Sequence, residues 1–452
     1  MRHGYASNSS FQLRGDREYR AELSCLPKSA GRAAEVPSIS GQYKYDKKTL
    51  ISLLKLVVAD ALEQGRSVDL DTNEELLRLI PILCAYISRQ ELIDLLGEEL
   101  TSRMLELNRL EIAQNLVLEG ELQHVLHAFN EAQIAVILFK GPSLAYTVYP
   151  KTYLRTYYDI DMLIRPDDLP RANELLLQMG YTFYEEYRAN ATNSKRTGFN
   201  YILARPDSWL EVPIELHTAP HPSEIGTDFE VESLWLKAQK IEVLGESTLT
   251  MHPVDHLLYL CWHYRFHGFT RLLWLYDLVV MLRAMGRTME RDMGRAIDLE
   301  LDWNELVRAA RQQHLATTLY YCLSWCRDLF EVAIPAEVFT QLRPPWACRL
   351  LVERIAMPNT LETLVSKRGQ SRRIIAHRAM VDSTLGLIKA GIQALFPSPA
   401  SMGRRYMGNS RLPLKFYFLY YFIHPWTTLA KGCRYLLKRG GKRKPKAVER
   451  RG

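Results

Sequence analysis

The chain has 452 residues, with 58 Lys and Arg against 51 Asp and Glu and a formal net charge of +7. Residues 402–452 hold 14 basic side chains and one acid, Glu449, so the other 401 residues carry a net of −6. A mildly acidic body with a basic tail excludes a nucleic-acid binder whose whole surface is basic, and 47% hydrophobic content excludes a chain too polar to bury a core.

A chain of this length predicts two or three domains. Residues 1–42 are polar and rich in Ser, Gly and Arg, without the apolar run of a signal peptide, and predict a disordered leader. Residues 43–130 predict a helical region: Leu50 to Val58 is apolar at helical spacing, and Leu96 to Leu126 repeats the pattern. The character changes at Ile134–Phe139, a continuous apolar run that suits a buried strand and stops at Lys140-Gly141-Pro142-Ser143. A short helix follows from Ser143 to Tyr149.

Tyr158 to Ile164 alternates and predicts a second strand. Pro166 opens a helix that Gly180 stops. Tyr181–Tyr187, Phe199–Ala204 and Leu210–His217 are further strand candidates. Residues 131–220 thus predict a compact β/α core and residues 221–400 a C-terminal helical domain, notably at Pro253–His267 and Thr270–Met285. Residues 401–452 form an aromatic and basic tail. The expected class is α+β, a small mixed sheet flanked by N- and C-terminal helical regions.

The chemistry concentrates at Lys140–Ser143 and Asp159-Ile160-Asp161. On a strand, residues two apart share a face, so Asp159 and Asp161 would present two carboxylates side by side. Adjacent carboxylates repel, and a divalent cation relieves the conflict. Mg²⁺ takes oxygen ligands from one or two carboxylates and from nucleotide phosphates. The Gly-x-Ser turn between strand and helix offers N–H donors and a hydroxyl, the physics of a phosphate cradle. A third carboxylate on a neighbouring strand would complete a site for two ions.

The run Leu138 to Ala145, then Tyr149-Pro150, Arg155, Asp159 to Ile164, Ala172, Leu176 and Gly180-Tyr181 resembles a bacterial family of uncharacterised nucleotidyltransferases, a branch of the polymerase-β-like superfamily. Ile214-Glu215-Leu216-His217, the Met251–Leu258 segment, His263 and Trp274–Asp277 are similar to later parts of that family. The resemblance covers about residues 105–285.

It implies that Asp159 and Asp161 bind the metals and that Glu215 is the third carboxylate, orienting or deprotonating the acceptor hydroxyl. Glu211 is the rival, because Pro213 sits two residues before Glu215. Gly141 and Ser143 would hold the β- and γ-phosphates, and Lys140 and Arg155 would neutralise the triphosphate. The implied function is Mg²⁺-dependent transfer of a nucleoside monophosphate from an NTP to the hydroxyl of a small molecule, sugar or peptide, with release of pyrophosphate. The alternative is a non-catalytic nucleotide- or partner-binding protein of the same fold, attached peripherally to the membrane through its basic tail.

His217 shares the face of Glu215 and is expected to orient the carboxylates rather than act as ligand or base. His256, His263 and His267 share a helical face; three histidines could bind zinc, but a polar stripe facing the cleft or solvent is the favoured reading. Asp277 is expected to pair inside the core. Seven cysteines form no CxxC pair and read as cytoplasmic thiols. The segment from Leu412 to Ala430 is aromatic but broken by Lys415, His424 and two prolines, which excludes a spanning helix. Either it packs as a core helix before a basic tail, or it lies at an anionic membrane surface; RNA attraction by the tail is the third reading. A cytoplasmic location, peripheral at the inner face of the membrane, follows from the second of these.

Overall fold

The computed structural model describes residues 44–63, 70, 74–183, 201–204, 212–220, 229–285, 301–357, 359–365, 370–397 and 421–428. The predicted leader, Glu211 and most of the tail lie outside them. The chain divides into two compact units, the larger spanning Gln12–Asp382 and the smaller including Ser383–Gly452.

The larger unit is built on a mixed sheet of seven strands in the order β3-β4-β5-β2-β1-β7-β6. These are β1 (Val136–Leu138), β2 (Ile160–Ile164), β3 (Thr182–Phe183), β4 (Tyr201–Ala204), β5 (Ile214–His217), β6 (Gln239–Val243) and β7 (Glu246–Thr250). β1 pairs antiparallel with β2 and parallel with β7, and β2 pairs parallel with β5. Central strands covered on both faces read as continuous apolar runs, and every residue of β1 is buried.

Helices flank the sheet: α1 (Lys44–Glu63), α2 (Ile80–Tyr86), α3 (Arg89–Leu96), α4 (Glu98–Glu131), α5 (Lys140–Thr147), α6 (Leu169–Gln178), α7 (Pro253–Phe266), α8 (Leu272–Met285) and α9 (Ala316–Phe330) lead through the larger unit. The class is α+β, as the residue pattern predicts. Ser88 caps α3, and the Glu91 carboxylate returns to the Ser88 N–H at 3.0 Å, a reciprocal cap written in the sequence as Ser-x-x-Glu.

α4 is 34 residues long, roughly 51 Å, and braces the sheet at one end. The Gln123 amide donates to the Leu244 carbonyl at 2.8 Å, and His127 and Asn130 meet the Glu246 carboxylate at 2.9 and 2.8 Å. α7 and α8 are buried on nearly every side, as expected of helices apolar all round.

The β6–β7 hairpin stands inside the stretch 221–400 that the residue pattern reads as helical. Leu244 and Gly245 turn it, both with positive φ (56° and 82°). Two such residues suit the twist of a two-residue hairpin turn. A leucine rather than Asn or Asp in the first position hid the signal.

In the smaller unit, Ser383 caps α10 (Thr384–Leu395) by accepting from the Gly386 N–H at 2.9 Å. A second helical segment covers 421–428. His424 Nε2 lies 3.1 Å from the Ala394 carbonyl, and the Tyr421 hydroxyl donates to the Pro397 carbonyl at 2.8 Å. Among the described residues, no helix is long and apolar enough to cross a membrane.

Candidate functional site

The parallel register of β2 and β5 sets Asp161 opposite Glu215 and Leu163 opposite His217. Since alternate side chains share a face, Asp161, Glu215 and His217 converge. One ligand-capable atom from each lies within 4.8 Å of the others, and this is the one such cluster among the described residues. Asp161 is 1% exposed, and its Oδ1 accepts from Lys140 Nζ at 2.6 Å and meets His217 Nε2 at 2.9 Å. His217 Nε2 is also 3.4 Å from Glu215 Oε2.

Pro213 precedes β5, and its carbonyl accepts from the Ile160 N–H at 2.9 Å. A proline at the edge of a strand costs no ladder bond, so it does not disturb the alignment of Glu215.

Asp159 departs from the expected geometry. β2 begins at Ile160, which leaves Asp159 in a bend ahead of the strand, half-buried. Burial, then the charges of Asp161 and Glu215, push its pKa up to about 7, with Lys140 and Arg78 opposing. Asp161 responds differently. Burial alone would raise it, but the Lys140 charge and the His217 hydrogen bond outweigh that and hold it at about 2. For Lys140, burial works against the charge, yet Asp161, Tyr259, Glu215 and Asp159 keep the ammonium well above the usual lysine range. His217 is likewise raised: burial opposes protonation, and the bonds to Asp161 and Glu215 prevail.

Lys140 reaches Asp161 by a strained route. Its φ is +57°, the left-handed region that non-glycine residues occupy at a cost of about 1 kcal/mol or more. The glycine beside it serves another end. A Cβ at Gly141 would lie 2.6 Å from Tyr157 Cβ, so Gly141 admits the tyrosine rather than supplying the positive φ. Tyr157 is held in turn by α4, whose Asn115 side chain accepts from the Tyr157 N–H at 3.1 Å. Gly141→Ala is expected to cost about 1–3 kcal/mol through this overlap, read as a lower urea midpoint; an unchanged midpoint would show that the contact is not needed.

Two of the predicted phosphate contacts point elsewhere in this structure. The Ser143 hydroxyl is fully buried and lies 2.6 Å from Thr250 Oγ1 on β7. Arg155 is also buried, its Nε and Nη2 donating to Asp277 Oδ1 and Oδ2 at 2.6 and 2.9 Å and its Nη1 to the Thr156 carbonyl. Asp277 on α8 takes a further bond from the Tyr149 hydroxyl at 2.8 Å. The structure therefore assembles Lys140, Asp161, Glu215 and His217, with Asp159 close enough to feel their charges. The Ser143 hydroxyl and the Arg155 guanidinium face other partners.

Tyr259 was missed by sequence reasoning. Its ring packs edge-on to Phe139 at 5.3 Å, and Phe139 packs edge-on to His217 at 4.9 Å. Lys140 Nζ lies 5.2 Å from the Phe139 ring centre. These rings wall off one side of the ion pair. The alternation of large aromatics along Tyr259–Phe266 looks like core packing, which conceals a residue that also faces Lys140.

His256 and His263 on α7 and His267 just after it form no metal cluster with one another, and His256 and His263 are buried rather than facing solvent. His263 packs against Trp274 at 4.4 Å and against His267 at 4.6 Å. His256 is 2% exposed, and its Nε2 has no hydrogen-bond partner among the described residues. Burial pushes its pKa down to about 4, against roughly 6.5 in the unfolded chain. The stability tied to a neutral His256 is fully present above that unfolded value and is lost as pH falls through the folded one. Replacing it, as in His256→Leu, should flatten the fall in unfolding free energy below about pH 6 by up to roughly 1.4 kcal/mol per pH unit. Parallel curves for the two proteins would show that His256 is protonated alike in both states.

Each cysteine among the described residues is a free thiol, and Cys322 and Cys326 are fully buried.

A mixed sheet thus brings two carboxylates and a histidine against a half-buried lysine. A family described as "Uncharacterised nucleotidyltransferase" matches residues 75–331, more than half of the chain. The chain belongs to this nucleotidyltransferase family. No curated protein and no solved structure matches it.

Proposed function

We propose that the protein moves a nucleoside monophosphate from an NTP to the hydroxyl of an acceptor and releases pyrophosphate, with Mg²⁺ as cofactor, in the cytoplasm. The observation that carries this reading is the cluster of Asp161, Glu215 and His217 within 4.8 Å, beside Lys140 and within reach of the Asp159 charge. The donor set fits a hard divalent ion. Burial and the charges of Asp161 and Glu215 push Asp159 up to about 7, a mutual repulsion of carboxylates that a divalent cation relieves.

Asp161 and Glu215, with Asp159, would hold the metal, which when bound neutralises the triphosphate and lowers the pKa of a nearby hydroxyl. The remaining roles fall to the chain. Glu215 accepts the proton of the acceptor hydroxyl as its oxygen attacks the α-phosphorus. The bond from that phosphorus to the bridging oxygen breaks, and the electron pair leaves on pyrophosphate. Lys140 stabilises the charge that develops there. Backbone N–H groups near Gly141 and Ser143, at the start of α5, hold the phosphate oxygens. His217 fixes the orientation of Asp161, and Phe139 and Tyr259 keep water from one flank.

The test is labelled NTP with Mg²⁺ over a panel of hydroxyl acceptors, scored by pyrophosphate. Release that depends on both acceptor and metal, and that EDTA abolishes, is expected. The inward-facing Ser143 hydroxyl and the Arg155–Asp277 pair favour a second reading, nucleotide binding without transfer. Tight NTP binding by calorimetry that gains nothing from Mg²⁺, with no turnover on any acceptor, would select that reading instead.

A further inference from the structure

We infer that the smaller unit docks on the surface of an anionic lipid bilayer, through an apolar face of α10 and an aromatic face of the 421–428 helix. The inference is independent of the nucleotidyl-transfer reading. α10 is a twelve-residue helix with Lys389 as its one charged residue and no buried residue. Leu385, Ile388 and Ile392 are 75%, 55% and 55% exposed, and Phe396 just beyond the helix is 52% exposed. At about 100° per residue these four positions fall within one narrow stripe.

The 421–428 helix repeats the arrangement. Phe422 and Trp426 are 70% and 76% exposed, four residues apart and so on one face, with Ile423 at its edge. His424, fully buried, faces the opposite way onto the Ala394 carbonyl. The two helices are thus tied together by their polar contacts, while their large apolar side chains point outward. Exposed apolar clusters of this kind mark interaction surfaces.

Charge selects the occupant. Residues 402–452 carry 14 basic side chains against one acid, and they bracket the aromatic helix in sequence, with Arg411 and Lys415 before it and Lys431 and Arg434 after. A protein partner would suit either the apolar stripe or the positive charge. An anionic bilayer takes both, because aromatic rings settle at headgroup level while Lys and Arg meet lipid phosphates. Among the described residues no helix is long and apolar enough to span, and the two described segments are suited to lie in the interface. RNA would meet the charge and leave the stripe in water.

Vesicle flotation of the full chain tests this. The wild-type protein should float with phosphatidylglycerol–phosphatidylcholine vesicles, float much less with phosphatidylcholine alone, and lose binding as salt rises. Ile388→Glu with Ile392→Glu should lower the floated fraction at least about tenfold at an unchanged thermal transition, since both positions are exposed. Trp426→Ala gives a second reading of the same face. Equal flotation of wild type and the double variant would overturn the proposal, as would equal flotation on both vesicle types. So would a wild-type dimer in gel filtration that the double variant breaks into monomers without wild-type flotation, which would assign the stripe to a second copy of the chain. Binding of single-stranded RNA in place of flotation would assign the tail to nucleic acid.

Discussion

Asp161→Asn should lower acceptor-dependent pyrophosphate release by about 10³-fold, the scale expected when one preorganised electrostatic group is lost from a water-poor site. The carboxamide keeps the size of the side chain and can still accept a hydrogen bond from Lys140 or His217. What it removes is the charge. Asp161 is 1% exposed and sits at the meeting point of the Lys140 and His217 contacts, so its charge orders the rest of the cluster. Without it, Lys140 loses the strongest of the charges that raise its pKa, and His217 loses the negative charge that favours its protonated form.

The measurement is a steady-state pyrophosphate assay alongside circular dichroism, so that lost turnover is separated from lost fold. Asp159→Asn should act in the same direction, and combining the two should abolish release. Full activity in the double variant would remove the acidic cluster from the mechanism.

Asp277→Ala should destabilise the larger unit by about 3–5 kcal/mol, because it leaves the Arg155 guanidinium buried and without its carboxylate. Arg155 and Asp277 are both almost fully buried and joined by two bonds. Removing the Tyr149 hydroxyl, as in Tyr149→Phe, should cost only about 1 kcal/mol. Replacing both members of the pair, with Arg155→Met and Asp277→Leu, should recover much of the loss, because no uncompensated charge is then buried.

Urea unfolding of the full chain measures all three. A double variant no better than Asp277→Ala would show that packing, not the buried charge, dominates. Arg155 lies four residues ahead of Asp159 and belongs to the loop entering β2, so the single variant should also reduce turnover by loosening that loop.

The central strands and the carboxylate pattern were legible because they are local. An apolar run ending at a Gly-Pro turn announces β1, and Asp-x-Asp followed by Glu-x-His announces acids at alternating positions. The contacts that complete the site are not local. Arg155 and Asp277 are 122 residues apart, and no spacing rule joins them. Which residue takes a positive φ was also hidden. A glycine stands ready at position 141, yet Lys140 adopts that conformation, because the close approach of Tyr157 reserves the glycine for space. Asp159 was expected on the strand with Asp161; the chain bends before β2, and the partner that aligns with Asp161 is Glu215 on the neighbouring strand.

The long helix α4 holds two places at once. Near its middle, Glu111 and Asn115 hold Tyr158 and Tyr157 in the loop that leads to β2; near its end, Gln123, His127 and Asn130 hold the β6–β7 hairpin. Inserting or deleting one residue between these anchors would rotate one set against the other by about 100° and shift it by about 1.5 Å. Both sets cannot survive such a change. Chains that share this architecture should therefore align without gaps from position 111 to position 130, even where their side chains diverge. A length change there in another member of the family would signal that its hairpin or its β2 loop is held in some other way.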